Sequence, residues 1–133
     1  ASNRDSSLRL VGSEMCIRDR LSSSGTGEFD LKQDPGGLAD IEFLVDYWVL
    51  ASAEDYPELL EYPDNIRQLE ALERTGLVAA DRCQRLIETY IRIRERLHEL
   101  ALADQRRVVP DTELAAEREW VTRVWQETFA DQA

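Results

Sequence analysis

The feature that most constrains this chain is a three- and four-residue apolar spacing that runs from Leu38 almost to Phe129 and breaks only at a few Pro and Gly positions. Such a period lines one side of an α-helix, whereas a strand needs alternation. The clearest case is Cys83, Leu86, Ile87, Tyr90, Ile93, Leu97, Leu100 and Ala101, with Arg and Glu between them. That pattern predicts a long helix over about 79–104. A first helix is predicted from about Gly37 to Ala53. Its Leu38, Ile41, Val45, Trp48 and Ser52 form one face, and Phe43, Tyr47 and Leu50 add a second stripe. A helix apolar on two sides belongs at the centre of a bundle. A second helix follows Pro63, with Asp64 as N-cap, Ile66, Leu69 and Leu72 inside, and Gly76 ending it. A fourth is predicted to start with Asp111 or Thr112 as N-cap. Its buried stripe is Leu114, Glu117, Trp120 or Val121, Val124, Trp125 and Phe129. Short connections favour antiparallel neighbours, so the expected fold class is all-α: an antiparallel bundle of about four helices, preceded by a short extended segment.

The start of the chain reads differently. Residues 1–20 carry neither period, and the apolar stretch is too short and too charged for a signal peptide. Val11 to Arg20 resembles translated sequencing-adapter read-through. Leu21 to Gly27 is rich in Ser and Gly and reads as a linker. The expected organisation is a disordered leader and linker over 1–27, then a helical domain over 28–133.

Composition narrows the function. The formal net charge of −11 repels phosphate backbones, so nucleic acid is not an expected partner. The basic residues after Lys32 are all Arg, scattered among acids at helical spacing, as with Glu70 and Arg74. No apolar run is long enough for a membrane span. Cys16 and Cys83 have no companions at metal-ligand spacing, which suits reduced thiols and a cytoplasmic location. His98, Cys83 and Ser22–Ser24 lack the neighbours that nucleophilic or general-base chemistry needs, and the pairs Glu95/Glu99 and Glu117/Glu119 read as wetted faces.

The densest polar cluster is Asp30, Lys32, Asp34, Gly36, Gly37, Asp40 and Glu42. Phe29 and Leu31 alternate with polar neighbours as in a strand, Asp34-Pro35-Gly36-Gly37 makes a turn, and a helix then begins. Free N–H groups near Gly37 and Leu38 would favour an anion, Lys32 would add a point charge, and the acids would help to hold a divalent cation. Spacing alone fits a capped turn at a domain junction better.

The string Phe29-Asp30-Leu31-Lys32-Gln33-Asp34-Pro35-Gly36-Gly37-Leu38-Ala39-Asp40-Ile41-Glu42-Phe43 resembles the junction after a nucleotidyltransferase unit in the glutamine synthetase adenylyltransferases. Tyr62 to Arg67, Arg94 to Ala103, and Ala116 to Glu119 with Trp125 resemble later helices of that family. The resemblance covers about residues 28–129 and is closer to the second, adenylylating unit. It implies transfer of AMP from ATP to a tyrosine of glutamine synthetase, with phosphorolytic removal by the other unit. It also implies Mg²⁺ or Mn²⁺, and control by a PII signalling protein and by glutamine. Lys32, Gly36, Gly37, Asp40 and Glu42 become the candidates for the edge of a nucleotide site or for domain docking. No catalytic residue and no metal ligand is assigned. The family's Gly-Ser turn with a following Asp-x-Asp pair is missing, since the one Gly-Ser, Gly12-Ser13, is not followed by such a pair. The chain alone is therefore expected to be inactive. The competing expectations are the helical domain of a PII uridylyltransferase and a non-catalytic interaction module.

Overall fold

The computed structural model describes residues 27–130, so the leader, Gly12-Ser13 and Cys16 lie outside the described residues. Among the described residues, four α-helices carry the fold: α1 (Leu38–Ser52), α2 (Asn65–Arg74), α3 (Ala80–Leu102) and α4 (Ala115–Phe129). Two short strands, β1 (Glu28–Asp30) and β2 (Val108–Pro110), pair antiparallel with Phe29 opposite Val109. A 3-10 turn, Pro57–Glu61, lies between α1 and α2. The mostly helical bundle expected from the periodicity is the fold observed.

α1 is central, as its two apolar stripes require, and it packs against α2, α3 and α4. Ile41, Leu44 and Val45 are fully buried, and Phe43, Tyr47 and Trp48 are half-buried. Phe43 and Tyr47 meet Phe129 of α4 at 5.4 and 4.8 Å between ring centres, and Trp125 packs at a tilt against Phe129 at 4.6 Å. Leu50, expected in the second stripe, is instead exposed. It lies near the end of α1.

The start and stop signals of α2 are realised locally. Asp64 is extended and its carboxylate accepts the Arg67 N–H at 2.8 Å, while Gly76 takes a positive φ of 75° just past the helix end. The start of α4 is a correction. Neither Asp111 nor Thr112 caps it. Pro110 closes β2, its carbonyl accepts the Glu113 N–H, and Leu114 sits in the left-handed region at φ 58° before the helix begins at Ala115.

α3 and α4 run alongside each other, joined by polar contacts in reversed order. Arg82 meets Glu127 at 2.8 Å, Arg85 lies over Trp120 at 4.4 Å, Arg92 meets Glu117 at 2.7 Å, and Arg96 meets Glu113 at 2.7 Å. The arginines expected to pair within their own helix mostly bridge two helices instead. His98 is exposed, and Cys83 is fully buried. Among the described residues, no helix is long and apolar enough to cross a membrane.

Candidate functional site: the strand–turn–helix seam

The seam is built from the alternation in β1. Phe29 and Leu31 point inward and are fully buried, which leaves Asp30 and Lys32 outward. Asp30 folds the turn over itself. Its carboxylate accepts the N–H groups of Lys32 at 2.9 Å and Gln33 at 3.1 Å, and receives Arg107 Nε at 3.1 Å. Burial raises the pKa of this carboxyl, but the two amides and the guanidinium outweigh it and hold the group below its ordinary value. Asp34 returns to β1, accepting the Asp30 N–H at 2.8 Å with its carboxylate and donating its own N–H to the Asp30 carbonyl at 3.1 Å.

The two glycines are needed for different reasons. Gly36 has a φ of 82°, and a Cβ there would stand 2.5 Å from the Arg118 carbonyl oxygen. Gly37 has an ordinary extended backbone at φ −87°, but a Cβ there would stand 2.6 Å from the Leu31 carbonyl oxygen and 2.9 Å from that of Asp34. Both oxygens are occupied: Leu38 N–H donates to Leu31 at 2.8 Å and Gly37 N–H to Asp34 at 2.9 Å. Ala39 N–H donates to Lys32 at 3.0 Å. The Asp40 carboxylate closes the turn by accepting the Gly36 N–H at 2.7 Å.

This bonding corrects one expectation. The N–H groups of Gly37 and Leu38 are not free for an anion, because the preceding turn supplies their acceptors. Nor do the acids form a cation cradle. Among the described residues there is no group of three or more His, Cys, Asp or Glu side chains placed to hold a metal, and Asp30, Asp34 and Asp40 are bonded to backbone amides. The residues present do not fit Mg²⁺ or Mn²⁺.

Of the candidates, Lys32, Gly36, Gly37 and Asp40 are drawn into one turn, with Lys32 exposed on it. Glu42 departs from them. Its carboxylate bears on Tyr90 of α3, where burial first and the Glu42 charge second raise the pKa of that phenol. Two residues were absent from the sequence reading of this site. Arg107 precedes β2 and ties it to Asp30. Arg118 of α4 lies 3.8 Å over the Phe29 ring, and its Nη1 donates to the Asp111 carbonyl at 3.4 Å. Burial pushes this guanidinium's pKa down, against the pull of Asp34 and Asp111. No local signal marks Arg118, since its partner is far away in sequence. Cys83 is no nucleophile at this seam. Burial pushes its thiol up to about 11, and Glu73 adds to the shift.

The geometry is thus a sealed junction with one outward lysine. A family model described as GlnD PII-uridylyltransferase matches residues 15–127, most of the chain. The chain belongs to that family. Its curated relatives include three named bifunctional glutamine synthetase adenylyltransferase/adenylyl-removing enzyme. The protein of Thioalkalivibrio sulfidiphilus is 46% identical over 110 residues, 83% of this chain and 11% of the relative. That of Pseudomonas aeruginosa is 48% identical over 77% of this chain and 10% of its own length. That of Haemophilus ducreyi is 40% identical over 84% and 12% respectively. The chain therefore spans about a tenth of the length of these relatives. The resemblance seen in the Phe29–Phe43 string is borne out. The matched span begins at residue 15, within the segment expected to be a leader.

Proposed function

We propose that this chain is the helical domain that follows the second nucleotidyltransferase unit of a cytoplasmic glutamine synthetase adenylyltransferase. The whole enzyme transfers AMP from ATP, with Mg²⁺ or Mn²⁺, to a tyrosine of glutamine synthetase. Its other unit removes the AMP by phosphorolysis, and a PII protein and glutamine set the balance in nitrogen regulation. The observation that carries this reading is identity of 40–48% to adenylyltransferases over most of the chain.

The chain's own part is positional. Lys32 is presented on a turn that cannot spread, because Gly36 abuts α4 and the Gly37 and Leu38 amides are spent within the turn. This supports a rigid edge of a nucleotide site formed with a preceding unit, where the lysine would offer a point charge to a phosphate. The metal chemistry belongs to carboxylates outside this segment.

The test uses full-length enzyme and the isolated chain, each with glutamine synthetase, labelled ATP and Mg²⁺. Full-length enzyme is expected to label the synthetase and the isolated chain is not. Activity of the isolated chain refutes the positional reading. Labelling of a PII protein from UTP, with none of the synthetase from ATP, replaces it with the uridylyltransferase that the family description names. Within the full-length enzyme, Gly37→Val and Asp40→Ala are expected to lower the adenylylation rate. Unchanged kinetics at normal stability removes the seam from the mechanism.

A further inference from the structure

Lys32 stands on a turn with two arms. Phe29 of β1 leads into it, and Gly36 leaves it for α1. One residue of α4 touches both arms. The Arg118 guanidinium lies 3.8 Å over the buried Phe29 ring, and the Arg118 carbonyl and Cα fill the space where Gly36 would carry a side chain. The charges of Asp34, inside the turn, and Asp111, just past β2, both act on the same guanidinium. Its Nη1 also donates to the Asp111 carbonyl at 3.4 Å. Arg118 therefore joins β1, the turn and the end of β2 to α4.

Packing alone does not account for an arginine at this place. Its Nε is buried and has no acceptor among the described residues. A buried donor without a partner costs stability, and a partly desolvated cation adds to that cost. Burial presses the guanidinium's pKa down by more than the two carboxylates raise it. A methionine of similar length would cover Phe29 without either cost. Arg85 shows the contrast: it lies over Trp120, but it is exposed and its charge stays in water. A side chain kept against stability, in contact with both arms of one turn, answers to something other than folding. What the turn carries outward is Lys32. The Lys32 N–H donates to Asp30 at 2.9 Å and its carbonyl accepts the Ala39 N–H at 3.0 Å, but these bonds shape the turn without fixing it to the bundle. Bonds from Leu31 and Asp30 to Arg107 tie it to β2, a strand of three residues. Arg118 ties it to α4, a helix of 15 residues.

We infer that Arg118 is a positioning residue for Lys32: it locks the turn to α4, so that the lysine ammonium meets a nucleotide phosphate in one fixed place. This rests on the reading of the seam as the edge of a nucleotide site.

The test is a double-mutant cycle in the full-length enzyme, read as kcat/KM for ATP with glutamine synthetase as acceptor. Lys32→Ala is expected to lower it at least about tenfold, the loss of one charge-assisted contact. Arg118→Met is expected to lower it about fivefold or more, the effect of a loosely held contact. In the Lys32→Ala background, Arg118→Met is expected to change it by less than about twofold, because nothing remains to be positioned. The urea midpoint of the chain with Arg118→Met should stay within about 0.5 M of the wild type, since removing the orphaned donor offsets the lost contacts. An equal effect of Arg118→Met in both backgrounds would show action other than through Lys32 and overturn the proposal. So would a larger fall in the midpoint, which would make the arginine a folding residue, or no effect of Arg118→Met where Lys32 is present. An effect of Lys32→Ala with none of Arg118→Met refutes this inference and leaves the nucleotide-site edge standing. Unchanged kinetics for Lys32→Ala removes both.

Discussion

Replacing Gly36 with alanine tests whether the seam is fixed by α4. Two costs arise at this position. A residue with a side chain at φ 82° loses about 1–2 kcal/mol to left-handed strain. The new Cβ also meets the Arg118 carbonyl oxygen at 2.5 Å and its Cα at 2.8 Å. Both are backbone atoms of α4, so relief needs a shift of the helix, which costs a further 1–3 kcal/mol or about that for overpacking. The sum is about 2–5 kcal/mol, a large part of the stability of a small domain. Gly76 is the internal control. Its φ is 75°, but nothing lies within 4 Å of its built Cβ, so Gly76→Ala should show the strain alone. The assay is urea unfolding followed by tryptophan fluorescence, since Trp120 and Trp125 lie on α4. With a slope of about 1.5 kcal/mol/M, a 3 kcal/mol loss moves the midpoint down by about 2 M. Gly76→Ala, with the strain alone, should move it by about 0.7–1.3 M. Equal midpoints for the two variants would refute the contact with α4 as the reason for this glycine.

Three further outcomes are expected. In a Cys16→Ser background, the Cys83 thiol, pushed up to about 11 by burial, should resist disulfide reagents at pH 8 until urea unfolds the chain. Because the folded form keeps its proton longer than the unfolded thiol, stability from this group should fall as pH rises past its ordinary value of 9.0; rapid native labelling would contradict the burial. Asp30→Asn should cost about 1–2 kcal/mol at pH 7, because the carboxylate accepts two amides and a guanidinium. The folded carboxyl titrates below 3.8, so this contribution is present above that pH and lost below it; the wild-type and variant curves should converge in acid, and a gap that persists there would show a cause other than the charge. A double-mutant cycle on Arg92 and Glu117, whose side chains are 64% and 25% exposed, should give a coupling below about 1 kcal/mol that fades in 1 M salt. A coupling well above that would make the α3–α4 ladder a main source of stability.

Much of the fold was written locally. Apolar period, proline breaks and caps act over one or two turns, so α2 with its Asp64 cap, the buried face of α3 and the central place of α1 could all be read from residue order. The turn chemistry of the seam was legible to the same extent, since Asp30, Asp34 and Asp40 bond to amides within four residues. What the tertiary structure decided lies beyond that range. β2 has only three residues, too few for a period, and becomes a strand because Phe29 offers Val109 a buried partner. Arg92 had acids available within α3 and took Glu117 of α4, a choice between exposed partners of nearly equal energy that spacing cannot settle. The same reason holds for Glu42, which is next to the seam in sequence and belongs to Tyr90 in space. Gly36 shows both sides. Its positive φ suits the turn the sequence announces, but its lack of a side chain is required by Arg118, a residue that only the packing of α4 against β1 brings near.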